Sequence, residues 1–148
     1  MDASVITFRA ATLAEIFDLR HAVLRAGKPR EAARYPGDDA PSTRHFAAVE
    51  GGHVICCLTF LRSEWEGQPA WQLRGMATAP ERRRGGIGQK LLLHAEAALR
   101  HETPGDSFWC NARSGAVGFY EKLGWRVVSA EFDIAGVGPH VKMEKSPK

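Results

Sequence analysis

The run Leu73-Arg74-Gly75-Met76-Ala77-Thr78-Ala79-Pro80, followed after two residues by Arg83-Arg84-Gly85-Gly86-Ile87-Gly88-Gln89-Lys90, decides how the rest of the chain is read. Its first part is an apolar strand over residues 70–78 that Pro80 ends. Its second part opens a helix over 86–101, where Ile87, Leu91, Ala95 and Ala98 share one face and Leu92 and Leu99 stand beside it. The first turn of a helix leaves four N–H groups unpaired and carries about half a positive charge. Gly85, Gly86 and Gly88 keep Cβ atoms out of the way there, and Arg82, Arg83 and Arg84 add fixed charge. The spacing predicts an anion site at a helix start, against the plainer reading of a solvated basic turn. It is not a P-loop, because Lys90 is followed by Leu91 where a hydroxyl is needed. Nor is it a dinucleotide fingerprint, whose third glycine would stand at Leu91.

Outward from this stretch the elements alternate in type. A strand over 5–9 precedes a helix that Thr12 and Glu15 open as a capping box, with Leu13, Ile16, Phe17, Leu19, Val23 and Leu24 at helical spacing. Residues 26–42 are polar and broken by Gly27, Pro29, Pro36, Gly37 and Pro41, a long loop with one helical turn at 30–34. Strands over 45–50 and 53–62 meet at a Gly51-Gly52 hairpin turn. After the helix of 86–101 come a short strand over 107–110 and a helix over 114–123 stopped by Gly124. Strands over 125–130 and 140–143 follow, joined through Gly136 and Gly138. This order predicts one α+β domain over residues 1–148, with about seven strands and helices on both faces of the sheet.

Composition is that of an ordinary globular chain: 148 residues, 44% hydrophobic and 25% charged. A net charge of +3 is too small to imply a nucleic-acid partner, and no helix-turn-helix or zinc pattern accompanies Arg82–Arg84. Cys56, Cys57 and Cys110 are odd in number and lack metal spacing, so reduced, buried thiols and no metal are expected. Met1-Asp2-Ala3-Ser4 opens no signal peptide and no apolar run is long enough to span a membrane, which predicts a cytoplasmic protein without a membrane partner.

Arg83-x-x-Gly86-x-Gly88 resembles the Arg/Gln-x-x-Gly-x-Gly/Ala signature of the GNAT family of N-acetyltransferases. Residues 73–80 look like that family's fourth strand, and Asn111 with Phe119-Tyr120-Glu121-Lys122-Leu123-Gly124-Trp125 resembles its second block. The tail Val137-Gly138-Pro139-His140-Val141-Lys142-Met143 is similar to the bacterial ElaA-like branch. The resemblance implies a mixed, mostly antiparallel sheet in which a bulge splays the fourth and fifth strands. It implies acetyl-coenzyme A as cosubstrate: Met76 and Thr78 on the pantetheine arm, Arg83 and the backbone of Arg84, Gly85, Gly86, Ile87, Gly88 and Gln89 on the pyrophosphate, Asn111 on the pantetheine, and Phe119 along the channel. The acceptor implied is a small amine, and a homodimer is implied as well.

By the same resemblance Tyr120 is the general acid for the leaving thiolate, and a backbone N–H of Met76 or Ala77 stabilises the oxyanion. Arg74 stands where related sequences often place the general base. His140, on the terminal strand, is the candidate in its place, with Glu50, Glu64 and a water chain as alternatives. Arg20, Arg25, Lys28 and Arg30 are candidates for an acidic or phosphorylated acceptor. Competing functions are a protein or peptide N-acetyltransferase and a non-catalytic acyl-coenzyme A-binding module.

Overall fold

Thr12 opens the first helix as its spacing predicts: its hydroxyl accepts from the Glu15 N–H at 3.2 Å, and Glu15 accepts from the Thr12 N–H at 2.9 Å. The computed structural model describes residues 5–147, so Met1–Ser4, read above for a missing leader, lies outside the described residues. The elements are β1 Ile6–Ala11, α1 Leu13–Leu24, β2 Arg44–Glu50, β3 His53–Trp65, β4 Gln68–Thr78, α2 Ile87–Glu102, β5 Ser107–Arg113, α3 Val117–Glu121, β6 Arg126–Val127, β7 Phe132–Ile134 and β8 Gly138–Lys145. Short 3-10 turns stand at Arg30–Ala33, Pro80–Arg82 and Ser114–Ala116. None of the described helices is long and apolar enough to cross a membrane.

The strands form one mixed sheet in the order β1-β2-β3-β4-β5-β8-β6, with β7 on β8. Every pairing is antiparallel except β4 with β5. That is one strand more than expected. Phe132–Ile134 pairs with Gly138–His140 across a turn closed by Val137 N–H to the Ile134 carbonyl. Three residues are too few for alternation to show in sequence. Two other segments also differ. The expected helix over 114–123 begins as a 3-10 turn, and the strand over 125–130 pairs regularly only through Arg126–Val127.

Alternation along β3 puts the helices on opposite faces. Cys56, Leu58 and Phe60 pack in the larger core with Ile87, Leu91, Leu92, Ala95 and Leu99 of α2. Cys57 faces the other way, with Ala47, Ala77 and Ile16 of α1. The three cysteines are free and buried, and burial pushes the Cys57 and Cys110 thiols up to about 12.

The feature that creates a site is where β4 leaves β5. The two strands pair from Ala70↔Ser107 to Leu73↔Cys110 and then diverge, so the rest of β4 has a strand partner only in β3. A bulge accompanies the divergence. Thr59 pairs with Arg74 and Cys57 with Ala77, so Gly75 and Met76 both stand opposite Leu58. Gly75 is at φ +67°, and a Cβ there would lie 2.9 Å from Arg20 Nε. Glycine is required by both conformation and space.

Candidate active site

Two features meet at the opening between β4 and β5. The first is the start of α2. Gly86, its N-cap, is at φ +76° with open space where a Cβ would be, and no side chain caps the helix. The first backbone bond into the helix is Lys90 N–H to the Gly86 carbonyl, and among the described residues the N–H groups of 84–89 donate to no backbone acceptor. Arg84 also holds a positive φ, +70°, which turns the chain into this exposed cradle. Arg82 is held by Glu50, whereas Arg83 and Arg84 are exposed and hold no carboxylate among the described residues. Gly88 lets the helix start approach the sheet: a Cβ there would come to 3.2 Å from Met76 Cε, 3.6 Å from Thr78 Oγ1 and 3.7 Å from Phe119 Cζ.

The second feature is a cavity of about 450 Å³ in the opening itself. Its walls include Met76 from β4, Asn111 from β5, Tyr120 from α3 and His140 from β8. Thus two pairs of residues far apart in sequence, Met76 with Asn111 and Tyr120 with His140, come to one place. Ala77 turns to the α1 face and is buried, so only its backbone remains relevant. Phe119 stacks edge-on against Tyr120, ring centres 5.2 Å apart, beside Gly88.

Burial, and secondarily Cys110, raises the Tyr120 phenol well above the ordinary tyrosine range, so it holds its proton at any working pH. Gly124 at φ +93° fixes Tyr120 from below, because it lets the Trp125 N–H return to the Tyr120 carbonyl at 3.1 Å. His140 is buried, and its Nδ1 lies 2.7 Å from the Gly138 carbonyl. That carbonyl can only accept, so Nδ1 carries the hydrogen and a neutral ring has its lone pair on Nε2. Asn111 Oδ1 accepts from Lys142 Nζ at 2.9 Å, which leaves its amide N–H groups to other partners.

Several expectations change. Glu50 is engaged with Arg82 outside the cavity, and neither it nor Glu64 is among the lining residues. Arg20 does not meet an acceptor: it is fully buried, donating to Asp38 Oδ2 at 2.7 Å, the Ala33 carbonyl at 2.9 Å and Thr59 Oγ1 at 2.8 Å. Thr59 passes the chain on to His45 Nδ1 at 2.8 Å, and His45 Nε2 reaches the Asp38 carbonyl at 3.1 Å. Burial lowers the His45 pKa, in keeping with a neutral ring in this network. Arg30 is spent on Asp18 at 2.7 Å, and Lys28 is not among the cavity residues. Arg25 is, together with Arg74, Arg113 and Tyr35. Tyr35 and Arg113 escaped the sequence reading, the first in a polar loop and the second three residues past the expected end of its strand.

Residues 25–147 match the family model described as the acetyltransferase (GNAT) domain. The chain is 32% identical to the uncharacterized N-acetyltransferase YitI of Bacillus subtilis (strain 168), over 96% of this chain and 97% of that one. In fold it is similar to Escherichia coli ElaA, with a TM-score of 0.80 and 18% identity over 97% of this chain and 99% of that one. An aminoglycoside 6'-N-acetyltransferase solved with coenzyme A gives a TM-score of 0.70 and 16% identity over 91% of this chain and 90% of that one. The parallel β4–β5 pair that splays beside a glycine-rich helix start thus goes with a family match over most of the sequence, and the chain belongs to the GNAT family of N-acetyltransferases.

Proposed function

We propose that this protein transfers an acetyl group from acetyl-coenzyme A to a primary amine of a small molecule by direct attack. The observation that carries the reading is the continuity between the unpaired N–H groups of 84–89, the unpartnered edge of β4 past Leu73, and the cavity beyond. A pyrophosphate takes the helix start and the charges of Arg83 and Arg84. The pantetheine arm then runs along β4 as an added strand, bonded by main-chain groups of Met76 and Thr78 and by the Asn111 amide. Phe119, beside Gly88, lines its path.

The arm delivers the thioester to the cavity that Tyr120 and His140 share. A neutral amine attacks the carbonyl carbon, the C–N bond forms and the C–S bond breaks. His140 Nε2 takes the proton the amine loses, and the Tyr120 phenol gives one to the departing thiolate. A backbone N–H of Met76 or Ala77 supports the oxyanion. The raised pKa of Tyr120 suits a donor that must be protonated at every turnover.

A small acceptor is favoured over a peptide because Tyr35 and Pro36 of the long loop wall the cavity on the α1 side. The test is thiol release from acetyl-coenzyme A across a panel of small primary amines. Turnover with at least one of them, lost in Tyr120→Phe, is expected. Tight cosubstrate binding with no turnover on any amine would favour a binding module instead.

A further inference from the structure

The arginines of this chain fall into two sets. Among the described residues, all but five lie within 4 Å of a carboxylate. The five are Arg83 and Arg84 on the helix-start loop, and Arg25, Arg74 and Arg113, which line the cavity. No Asp or Glu is among the lining residues. Arg25 and Arg74 are partly buried, so this is not a set of freely solvated surface charges. Their guanidinium carbons lie 5.1 and 5.3 Å from the centre of the same Tyr35 ring. Arg20, 4.3 Å from that ring, is paired with Asp38; among the described residues Arg25 and Arg74 have no carboxylate within 4 Å, and Asp38, which already holds Arg20, reaches Arg74 only at longer range. Arg74 donates to the Pro36 carbonyl, and its Nε is buried without a hydrogen-bond partner among the described residues.

Resting on the transferase reading above, we infer that the acceptor is an amine that also carries an anionic group, a carboxylate or a phosphate, held by Arg74 and Arg25 with Arg113 at the exposed rim. Uncompensated guanidinium groups on one wall strongly favour an oxyanion, which they bind through charge-assisted and often bidentate hydrogen bonds. The same wall repels a simple alkylammonium ion, which would bring a third positive charge to it. It also lowers the cost of presenting the acceptor amine as the neutral base that attack requires. The anions of the cosubstrate do not meet this need, since its pyrophosphate belongs to Arg83 and Arg84 at the other end of the opening. Carboxylate and phosphate share the required chemistry, and the assay separates them.

The experiment compares kcat/KM for matched acceptors at saturating acetyl-coenzyme A: an α-amino acid against its amide, and phosphoethanolamine against ethanolamine. The expected result is a preference of at least about 10-fold for the anionic member of one pair, the scale of one charge-assisted hydrogen bond. The pair showing the larger ratio identifies the anion. Arg74→Gln raises KM for the preferred acceptor about 10-fold or more and leaves the acetyl-coenzyme A Kd within about twofold. Arg113→Gln, at an exposed position, gives a smaller change in the same direction and guards against a loop disturbance in the first variant. Neutral acceptors used as well as anionic ones would overturn the inference and leave the transferase reading standing. Acetyl-coenzyme A binding with no turnover on either pair or any other amine would overturn both.

Discussion

Replacing Arg20 by Met keeps much of the side-chain volume and removes the charge from a fully buried network. The Arg20 and Asp38 side chains are 0% and 1% exposed, so neither has solvent to fall back on. Without Arg20, the Asp38 carboxylate keeps the Tyr35 N–H at 2.6 Å, and the Ala33 carbonyl and Thr59 hydroxyl each lose a donor. Removing one partner of such a pair costs about 3–5 kcal/mol, because the other charge stays buried and uncompensated. For a domain whose whole stability is about 5–15 kcal/mol, that is a large share. Urea denaturation of Arg20→Met should show the midpoint falling by that free energy divided by the slope, with the slope itself unchanged. The pair is not expected to be worth this much by itself, since Arg20 Nε already lacks a hydrogen-bond partner among the described residues. The double variant Arg20→Met, Asp38→Leu should therefore recover much of the loss. A single-variant loss below about 1 kcal/mol would refute the account of how the loop over 26–43 is fixed to the sheet.

Tyr120→Phe should lower kcat by about 100-fold or more with little change in acetyl-coenzyme A affinity. Since the phenol is raised above its ordinary value, its loss of a proton should bring no fall in wild-type rate below about pH 10, and a descending limb near neutrality that disappears in the variant would contradict this. His140→Ala should lower kcat by about 100-fold or more with the acetyl-coenzyme A Kd within about twofold; a variant that keeps its full kcat removes His140 from the role of base. All three thiols should resist an aromatic disulfide reagent at pH 8 in the folded protein and react on unfolding, since each is buried and raised by that burial.

Where one segment's own sequence supplies the physical cause, the fold was legible in advance. The capping box at Thr12 and the Gly51-Gly52 turn are local patterns that stand in the structure as read; the face of α2 does so at Ile87, Leu91, Leu92, Ala95 and Leu99, but Ala98 is exposed and Glu96 is buried on that side instead. β7 was not legible, because its register comes from β8 rather than from its own three residues. In the site, the helix start was visible because its donors, glycines and charges are contiguous. The bulge had a local trace in Gly75, a glycine inside a strand, but the Arg20 side chain that packs against it comes from another element. The roles of the arginines were hidden for the same reason. Asp38 pairs with Arg20 across 18 residues, whereas among the described residues no carboxylate lies within 4 Å of Arg74, and sequence shows neither fact. Tyr35 gathers three guanidinium groups only after the loop has folded.

The claim on which the rest depends is that the start of α2 holds the pyrophosphate of coenzyme A. Gly86→Glu tests it, because a side chain at φ +76° costs about 1–2 kcal/mol and a carboxylate there opposes the anion. Titration calorimetry with acetyl-coenzyme A should show wild-type binding and a loss of at least about 10-fold in the variant, with the circular dichroism of the two proteins matching. Equal affinity in the two proteins, or no binding by either, would contradict it.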